Sequence, residues 1–225
     1  MKRSVLILAV VFTLGLAVSA QADPVFVGSR AGLAGNDHFD WGQFGPTYTI
    51  VPNPSTAISV GGVTATVSQA GGPFQRRDQG NGWDGNFAPG DHLLWTQGGG
   101  PITVFQFSTP VYAAGAQVQA DFFGDFTAQI SELDSHGNIL FSFTTSGVST
   151  SNGDNSAPFL GISSTTPIAG IEFSVLSATD SPTDFAINQL DISTVPPVPE
   201  PSAIVTAALG IGMLLGYRWR RRKLA

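Results

Sequence analysis

A strict alternation of apolar and polar side chains runs through residues 116–122, which read Ala-Gln-Val-Gln-Ala-Asp-Phe. Successive side chains of a β-strand point to opposite faces, so a period of two predicts a strand with one buried face. We expect the apolar residues to point into a core and the polar residues into solvent: Ala116, Val118, Ala120 and Phe122 inward, and Gln117, Gln119 and Asp121 outward.

The same period recurs on both sides of this stretch. Apolar residues occupy every second position in 63–67, 126–130, 139–143 and 171–175. The segment 134–138, Asp-Ser-His-Gly-Asn, has the composition of a hairpin loop between two such strands. No stretch between residues 23 and 195 shows a helical period. Eight or more short strands predict an all-β fold, a two-sheet antiparallel β-sandwich or jelly roll.

The last alternating stretch, residues 185–192, changes phase after Ile187. A β-bulge, in which one extra residue is inserted into a strand, would explain the change. Burial of both faces of the strand is the alternative explanation.

The segment 69–100 is rich in Gly, Asn and Asp and resembles a long surface loop. It also contains Trp83 and Trp95, and exposed tryptophans can stack on sugar rings. Both are therefore candidate glycan contacts. The alternative is an ordinary surface loop in which Trp83 is tucked into the edge of the core.

Charge is distributed unevenly along the chain. Between Asp23 and Pro199 there are fifteen acidic residues and three arginines, a net charge of −12. Nucleic acids bind proteins through Lys and Arg, so this acidity argues against a nucleic-acid partner. The chain has no cysteine, which excludes disulfides, thiolate catalysis and Cys-ligated zinc.

The N-terminal residues 1–22 have the three parts of a secretory signal peptide. Lys2 and Arg3 form a basic start, an apolar run of residues 5–18 follows, and small residues precede two candidate cleavage sites, after Ala20 and Ala22. The apolar run is shorter than the roughly 20 residues of a membrane-spanning helix. We expect signal peptidase to remove this segment, which leaves residues 23–194 as the ectodomain.

The C-terminal residues form a tail of three parts. Residues 195–202 are a Pro-rich linker, which cannot join a sheet because proline lacks an amide hydrogen. Residues 203–217 are apolar and predict a short transmembrane helix. A basic tail at 218–225 follows, and the positive-inside rule keeps it cytoplasmic. Its charged residues, which would stop transfer through the membrane, are Arg218, Arg220, Arg221, Arg222 and Lys223.

This tail resembles the PEP-CTERM sorting signal. Pro199, Glu200 and Pro201 form the Pro-Glu-Pro motif directly ahead of the apolar helix and the arginine cluster. The resemblance implies an exported Gram-negative protein, anchored in the inner membrane as a precursor. It also implies an exosortase-type membrane protease that removes the tail, and a final location at the cell surface or in a polysaccharide or biofilm matrix. An ordinary single-span anchor is the alternative.

The body, from Thr103 to Ser193, resembles the β-sandwich domains common in PEP-CTERM proteins. The resemblance rests on the turn at 134–138, Phe-Leu-Gly at 159–161 and Phe-Ala-Ile at 185–187. In related domains an Asp pair often follows the closing Ile. Here the pair is Asn188-Gln189, which weakens an inherited metal site.

Candidate chemistry is sparse. The three histidines, His38, His92 and His136, lie in no hydrolase or metalloprotease motif, so we predict no enzymatic activity. Calcium prefers carboxylate and carbonyl oxygens. Four aspartates at strand ends or loops are candidate calcium ligands in two pairs, Asp121 with Asp125 and Asp180 with Asp184. Solvated surface carboxylates are the alternative, and we predict no cofactor.

The sequence therefore predicts a non-enzymatic exported surface or matrix protein, possessing a sorting tail and contacting extracellular polysaccharide. A specific carbohydrate-binding module, with Trp83 or Trp95 at the ligand, is the alternative.

Overall fold

The computed structural model describes residues 24–197 and 210–212. The signal peptide with Ala20 and Ala22, the Pro199–Pro201 motif and the basic cluster at 218–223 lie outside the described residues. Of the predicted transmembrane segment, only residues 210–212 are described, and they are helical. Within these described ranges, no helix has both the length and the hydropathy that a membrane crossing requires.

Strands dominate residues 24–197, and the α-helix and the 3-10 helix in this range have four residues each. The helices are α1 (Arg30–Leu33) and a 3-10 turn (Trp41–Phe44). The strands are β1 (Val25–Val27), β2 (Asp37–Phe39), β3 (Ile50–Val51), β4 (Ser55–Ile58), β5 (Thr64–Gln69), β6 (Phe74–Gln79), β7 (Gly82–Trp83), β8 (His92–Trp95), β9 (Ile102–Phe105), β10 (Val111–Ala120), β11 (Gly124–Leu133), β12 (Ile139–Ser149), β13 (Phe159–Ile168), β14 (Gly170–Ser177), β15 (Phe185–Ile187) and β16 (Leu190–Ser193).

These strands form two sheets that pack face to face, so the predicted β-sandwich is confirmed. The ten-stranded sheet runs β1-β13-β10-β15-β8-β6-β3; off this path, β16 pairs with β10, β2 pairs with β16, and β7 pairs with β6. The six-stranded sheet runs β12-β11-β14-β9-β5-β4. Every strand pair is antiparallel except β6 with β7.

The main core fills the space between the two sheets. Its largest members with no exposed surface include Trp41, Phe39, Phe74, Phe173 and Phe185. The predicted inward residues of β5, β11 and β14 are all buried here, which confirms those three alternations: Val63, Ala65, Val67, Phe126, Ala128, Ile130, Ile171, Phe173 and Val175.

The strand at 116–122 differs from the prediction in two ways. It ends at Ala120, and Phe122 is exposed. Gln117 and Gln119, expected to face solvent, are buried. Asn86, Ser149 and Thr150 cover the outer face of β10 at Gln119, so both faces of this strand are enclosed there.

The β11–β12 hairpin is confirmed, with its loop at residues 134–138. The Asp134 carboxylate accepts the backbone N–H groups of His136 and Asn138 at 2.8 and 2.9 Å. The expectation that Ile139 and Phe141 face inward to a buried position is wrong, because both are exposed. β12 lies at the edge of its sheet, and the register shifts at its start, where Leu140 has no partner across the pair.

The closing stretch at 185–192 shows both of the alternatives. It splits into β15 and β16, which pair with the same strand β10, and their registers differ by one residue. The extra residue of this bulge falls at Asn188–Gln189. Both faces are also buried, since Phe185, Ala186 and Ile187 have no exposed surface.

The segment 69–100 is not a long loop, contrary to expectation. It contains β6, β7 and β8, and β6 and β8 pair side by side in the ten-stranded sheet. Three of its glycines, Gly80, Gly90 and Gly98, adopt positive φ in turns next to these short strands.

Candidate functional site

A cationic side chain lies between two aromatic rings on the outer face of the ten-stranded sheet. The guanidinium carbon of Arg77 is 4.6 Å from the ring centre of Tyr48 and 4.5 Å from that of Trp95. Both distances are within the range of a cation–π contact. Arg77 Nη1 also donates to the carbonyl oxygen of Gly82 at 2.9 Å. Tyr48 is 55% exposed, so its ring is the open aromatic surface of this stack.

Strand alternation explains why these side chains meet. In β8, Leu94 packs in the main core, so Trp95 points to the opposite, outer face. The register places Arg76 beside Leu94 and Arg77 beside Leu93, so Arg77 shares the outer face with Trp95.

Two carboxyl groups lie beside the stack. Trp95 Nε1 donates to Asp184 Oδ1 at 2.5 Å, and the backbone N–H of Gly98 donates to the same oxygen at 3.2 Å. Burial raises the pKa of Asp184 although these hydrogen bonds oppose it. Burial and the nearby Asp184 carboxylate raise the pKa of Asp121, and Arg77 opposes that shift. We call Tyr48, Arg77, Trp95, Asp121 and Asp184 the Arg77 cluster.

Trp83, the other candidate glycan contact, is 6% exposed and packs in a small apolar cluster with Phe87, Leu93, Ala157 and Ala186. Its ring meets Trp95 edge-on at 6.3 Å. A sugar cannot stack on Trp83 in this arrangement. The alternative reading, in which Trp83 is tucked into the edge of the core, is the one that the structure shows.

A buried polar layer lies beneath this apolar cluster, on the outward side of β10. Gln119 Oε1 accepts the backbone N–H of Asn86 at 2.7 Å, and Gln119 Nε2 donates to Ser149 Oγ at 2.7 Å. Asn86 Nδ2 donates in turn to Thr150 Oγ1 at 2.7 Å. These bonds fasten the turn after β7 and the segment after β12 onto the sheet, which is how the outer face of β10 becomes covered.

Asn188, at the bulge, extends this polar layer and has no exposed surface. Its Nδ2 donates to Gln117 Oε1 at 2.6 Å and to Asp91 Oδ2 at 2.9 Å. Its backbone carbonyl accepts the buried Trp41 Nε1 at 2.7 Å. Its Oδ1 accepts the backbone N–H of Gln117 at 2.9 Å. The side chain therefore both donates and accepts, whereas a carboxylate only accepts.

His92 lies at the surface between two carboxylates. Its Nδ1 is 2.6 Å from Asp40 Oδ1, and its Nε2 is 3.7 Å from Asp78 Oδ1. Arg76 pairs with the same Asp78 oxygen. Burial acts to raise the pKa of Asp40, but the Gly42 N–H and His92 hold it below its ordinary value. His38 lies in β2, and His136 lies in the β11–β12 loop.

The structure does not bring the four candidate calcium ligands together in the predicted pairs. Asp121 and Asp184 lie together, with the Asp121 N–H donating to the Asp184 carbonyl at 2.9 Å. Asp125 is the exposed second residue of β11, opposite Val148, and Asp180 is exposed in the bend before β15. Within residues 24–197 and 210–212, no group of three or more His, Cys, Asp or Glu side chains is arranged to hold a metal ion.

Sequence reasoning missed Tyr48 and the role of Arg77. Tyr48 lies in an irregular turn with positive φ, 70°, and no pattern around it distinguishes it from other loop residues. The members of the Arg77 cluster come from five separated positions, which the strand register and the turn at Tyr48 bring together.

Residues 197–223 match the family model described as the PEP-CTERM protein-sorting motif. The chain therefore carries this motif, as its sequence predicts. The motif supports exosortase-dependent sorting of an exported protein that passes through a membrane-anchored precursor.

No curated protein matches the chain. Among solved structures, a DUF4465 family protein from Bacteroides caccae is 12% identical, with a TM-score of 0.37 over 76% of this chain and 100% of that one. CsCBM6-3 from Clostridium stercorarium, solved in complex with cellobiose, is 14% identical, with a TM-score of 0.22 over 75% of this chain and 92% of that one. At these identities and TM-scores neither structure bears on what this chain does.

Proposed function

We propose that this chain is an exported, non-enzymatic protein of the cell surface or extracellular matrix, and that an exosortase-type membrane protease processes its C-terminal tail. The observation that carries the proposal is the sorting motif at residues 197–223. In it, Pro199-Glu200-Pro201 stands ahead of an apolar segment and a basic cluster.

The position of the last strand supports a removable tail. β16 ends at Ser193 and is paired on both sides, with β10 and with β2. Cleavage near the Pro-Glu-Pro motif removes none of the sixteen strands described between residues 24 and 197. The tail can therefore serve as a sorting signal without contributing to the β-sandwich.

The first strand supports removal of the other end in the same way. β1 begins at Val25 and pairs with β13 through Val25, Phe26 and Val27. Signal peptidase cleavage after Ala22 would leave these pairs intact.

The positions of His92, Glu132 and Glu172 support a non-enzymatic body. The two ring nitrogens of His92 face the carboxylates of Asp40 and Asp78 instead of a hydroxyl nucleophile. Burial raises the pKa of Glu132 on the inner side of β11 and of Glu172 on the outer side of β14. These two acids thus lie on opposite faces of one sheet, where they cannot act on one bond.

The test compares Pro199→Ala with Pro196→Ala, the same substitution inside and just outside the matched motif. We expect the first variant to accumulate as an unprocessed membrane-bound precursor, and the second to be processed like the wild type. Fractionation with an antibody against the β-sandwich separates the two forms. Equal processing of both variants would show that the Pro-Glu-Pro motif does not direct processing.

A second candidate function is carbohydrate binding at the Arg77 cluster. The observation that favours it is the exposed Tyr48 ring stacked on Arg77, with the carboxyl groups of Asp121 and Asp184 alongside. An aromatic surface beside hydrogen-bond acceptors suits the apolar face and the hydroxyl groups of a sugar.

Affinity electrophoresis in gels containing a neutral polysaccharide tests this second function. Tyr48→Ala removes the open ring, and Tyr112→Ala, at the far end of β10, is the matched control. We expect only the first variant to lose retardation. Equal mobility of the wild type with and without polysaccharide, across a panel of polysaccharides, would exclude this second function.

A further inference from the structure

One edge of the β-sandwich is long, uncharged and open. β12 is the end strand of the six-stranded sheet and has eleven residues. No ionisable side chain occurs from residue 137 to residue 153. Beyond its pairing with β11, no backbone hydrogen bond from β12 to another described residue is present.

The other strands that pair on one side only, among the described residues, are short: β2 has three residues and β7 has two. The remaining three are also next to a proline. β1 has three residues and follows Pro24, β3 has two residues and precedes Pro52, and β4 has four residues and follows Pro54. Short strands and prolines are the usual means of preventing edge-to-edge association. β12 has neither protection along 141–149, where its pairing with β11 is regular.

The side chains of β12 also favour contact with another chain. Phe141 is 43% exposed and Val148 is 56% exposed, near opposite ends of this regular stretch. Between them lie only Ser, Thr, Gly and the partly buried Phe143, which packs on Phe26 at 5.7 Å between ring centres. Thr144, in the middle, is exposed.

We infer that β12 pairs antiparallel with β12 of a second copy of this chain, forming a two-fold dimer with a continuous twelve-stranded sheet. The charge distribution selects this partner. The region from Asp23 to Pro199 has a net charge of −12, so two copies repel each other over most of their surfaces. β12 is a long strand without carboxylates, so two copies can approach each other there. Two identical antiparallel strands are self-complementary, which suits a closed two-fold contact.

This charge distribution also predicts how the affinity of the dimer depends on salt concentration. Salt screens the repulsion between the two acidic bodies, with a screening length of about 10 Å at 0.1 M. The dimer should therefore strengthen as salt is added. A basic partner protein on the same edge would instead dissociate as salt is added. Because a single strand pair buries less than the roughly 1,600 Å² of a standard interface, we expect the dimer to dissociate on dilution.

The experiment is sedimentation velocity on the exported, processed protein over a range of concentrations at 0.05 and 0.5 M NaCl. Thr144→Glu places like charges on facing strands close to the two-fold axis. Thr56→Glu makes the same change at an exposed position on β4, the opposite edge of the same sheet. We expect the wild type and Thr56→Glu to dimerise more strongly at high salt, and Thr144→Glu to have a dissociation constant at least tenfold higher.

Circular dichroism and thermal melting establish that both variants keep the wild-type fold. Hydrogen exchange is a second readout: the amides of 141–149 should become more protected as protein concentration rises. A wild type that stays monomeric at high concentration in both salts would overturn the inference. Equal dimerisation of the two variants, or a dimer that weakens with salt, would overturn it as well.

Discussion

The side-chain oxygen of Asn188 accepts the backbone N–H of Gln117 at 2.9 Å, in the place where the bulge interrupts the pairing of two strands. The backbone N–H of Asn188 donates to the Gln117 carbonyl at 3.2 Å, so one residue supplies both halves of the interrupted contact. The bulge is thereby closed without a buried unpaired amide.

Removal of this side chain should destabilise the β-sandwich strongly. Asn188→Ala leaves the Gln117 N–H, Gln117 Oε1 and Asp91 short of partners in a buried layer, at a cost of about 3 kcal/mol in the free energy of unfolding. Urea unfolding followed by tryptophan fluorescence measures the loss. Asn81→Ala, at an exposed turn residue, is the control and should change stability by less than about 0.5 kcal/mol. Similar effects of the two substitutions would contradict the assigned role.

Glu132 should make the protein less stable as pH rises. It is 4% exposed at the inner side of β11, and its Oε2 has no partner among the described residues. Burial raises its pKa above the ordinary 4.5, so the folded state retains a proton that the unfolded state has released. Stability then falls as pH rises from 4.5 through the folded pKa.

Glu132→Gln removes this dependence because the amide carries no charge at any pH. We expect the variant to gain stability relative to the wild type between pH 4.5 and pH 8, and to resemble it below pH 4.5. Thermal melting across this pH range gives the comparison. Parallel stability profiles for the two proteins would show that Glu132 is not the cause.

Asp37 should have the opposite effect in acid. Burial acts to raise its pKa, but hydrogen bonds from Ser59 Oγ and from the N–H groups of Gly61 and His38 hold it below 3.8. These bonds connect β2 to the turn between β4 and β5. The stabilisation is present above pH 3.8 and is lost as pH falls through the folded pKa.

Asp37→Ala should therefore destabilise the protein at pH 7, and the difference from the wild type should shrink toward pH 2. Ser59→Ala removes one of the three donors and should give a smaller loss with the same pH trend. Urea midpoints at a series of pH values provide the test. If the stability difference between Asp37→Ala and the wild type stayed constant with pH, the lost stability would not depend on the ionised Asp37 carboxylate.

A pair of glycines, Gly115 in β10 and Gly161 in β13, lies directly across the strand pair. A Cβ at Gly115 would be 2.8 Å from Gly161 Cα and 2.8 Å from the Leu160 carbonyl oxygen, both backbone atoms. Gly115→Ala should therefore force the two strands apart and cost about 1–3 kcal/mol. Chemical denaturation checks this, and a wild-type midpoint would show that the strands can adjust without cost.

The strands with one covered face were predictable from the sequence, and the doubly covered ones were not. The inner faces of β5, β11 and β14 follow the period of two as predicted, although Ser131 and Ser174 on the outer faces of β11 and β14 are also buried. Gln117 and Gln119 follow the same pattern, yet both are buried. Asn86 and Ser149, 33 and 30 residues away, supply the partners of Gln119. Those of Gln117 are Asn155, Ala157 and Asn188, which are also distant in the sequence. The alternation of apolar and polar residues in one strand cannot show that segments distant in the sequence pack on its outer face.

The C-terminal motif and the surface cluster differ in the same way. Pro199-Glu200-Pro201 is contiguous, so its resemblance to a sorting signal could be seen directly in the sequence. Tyr48, Arg77 and Trp95 come together only through the positive-φ turn at Tyr48 and the register of β6 with β8. The composition around Trp83 and Trp95 does not distinguish them. In the structure, Trp83 is buried in an apolar cluster, and Trp95 is partly buried between that cluster and Arg77.

The measurement that tests the central claim most directly is intact-mass spectrometry of the protein that the native host exports, recovered from the cell surface or the surrounding medium. Processing by an exosortase-type protease predicts a mature chain that starts near Asp23 and ends near Pro199–Pro201, without the apolar segment and basic tail. Recovery of molecules that all retain Ala225 would contradict the account and leave an ordinary membrane anchor in its place.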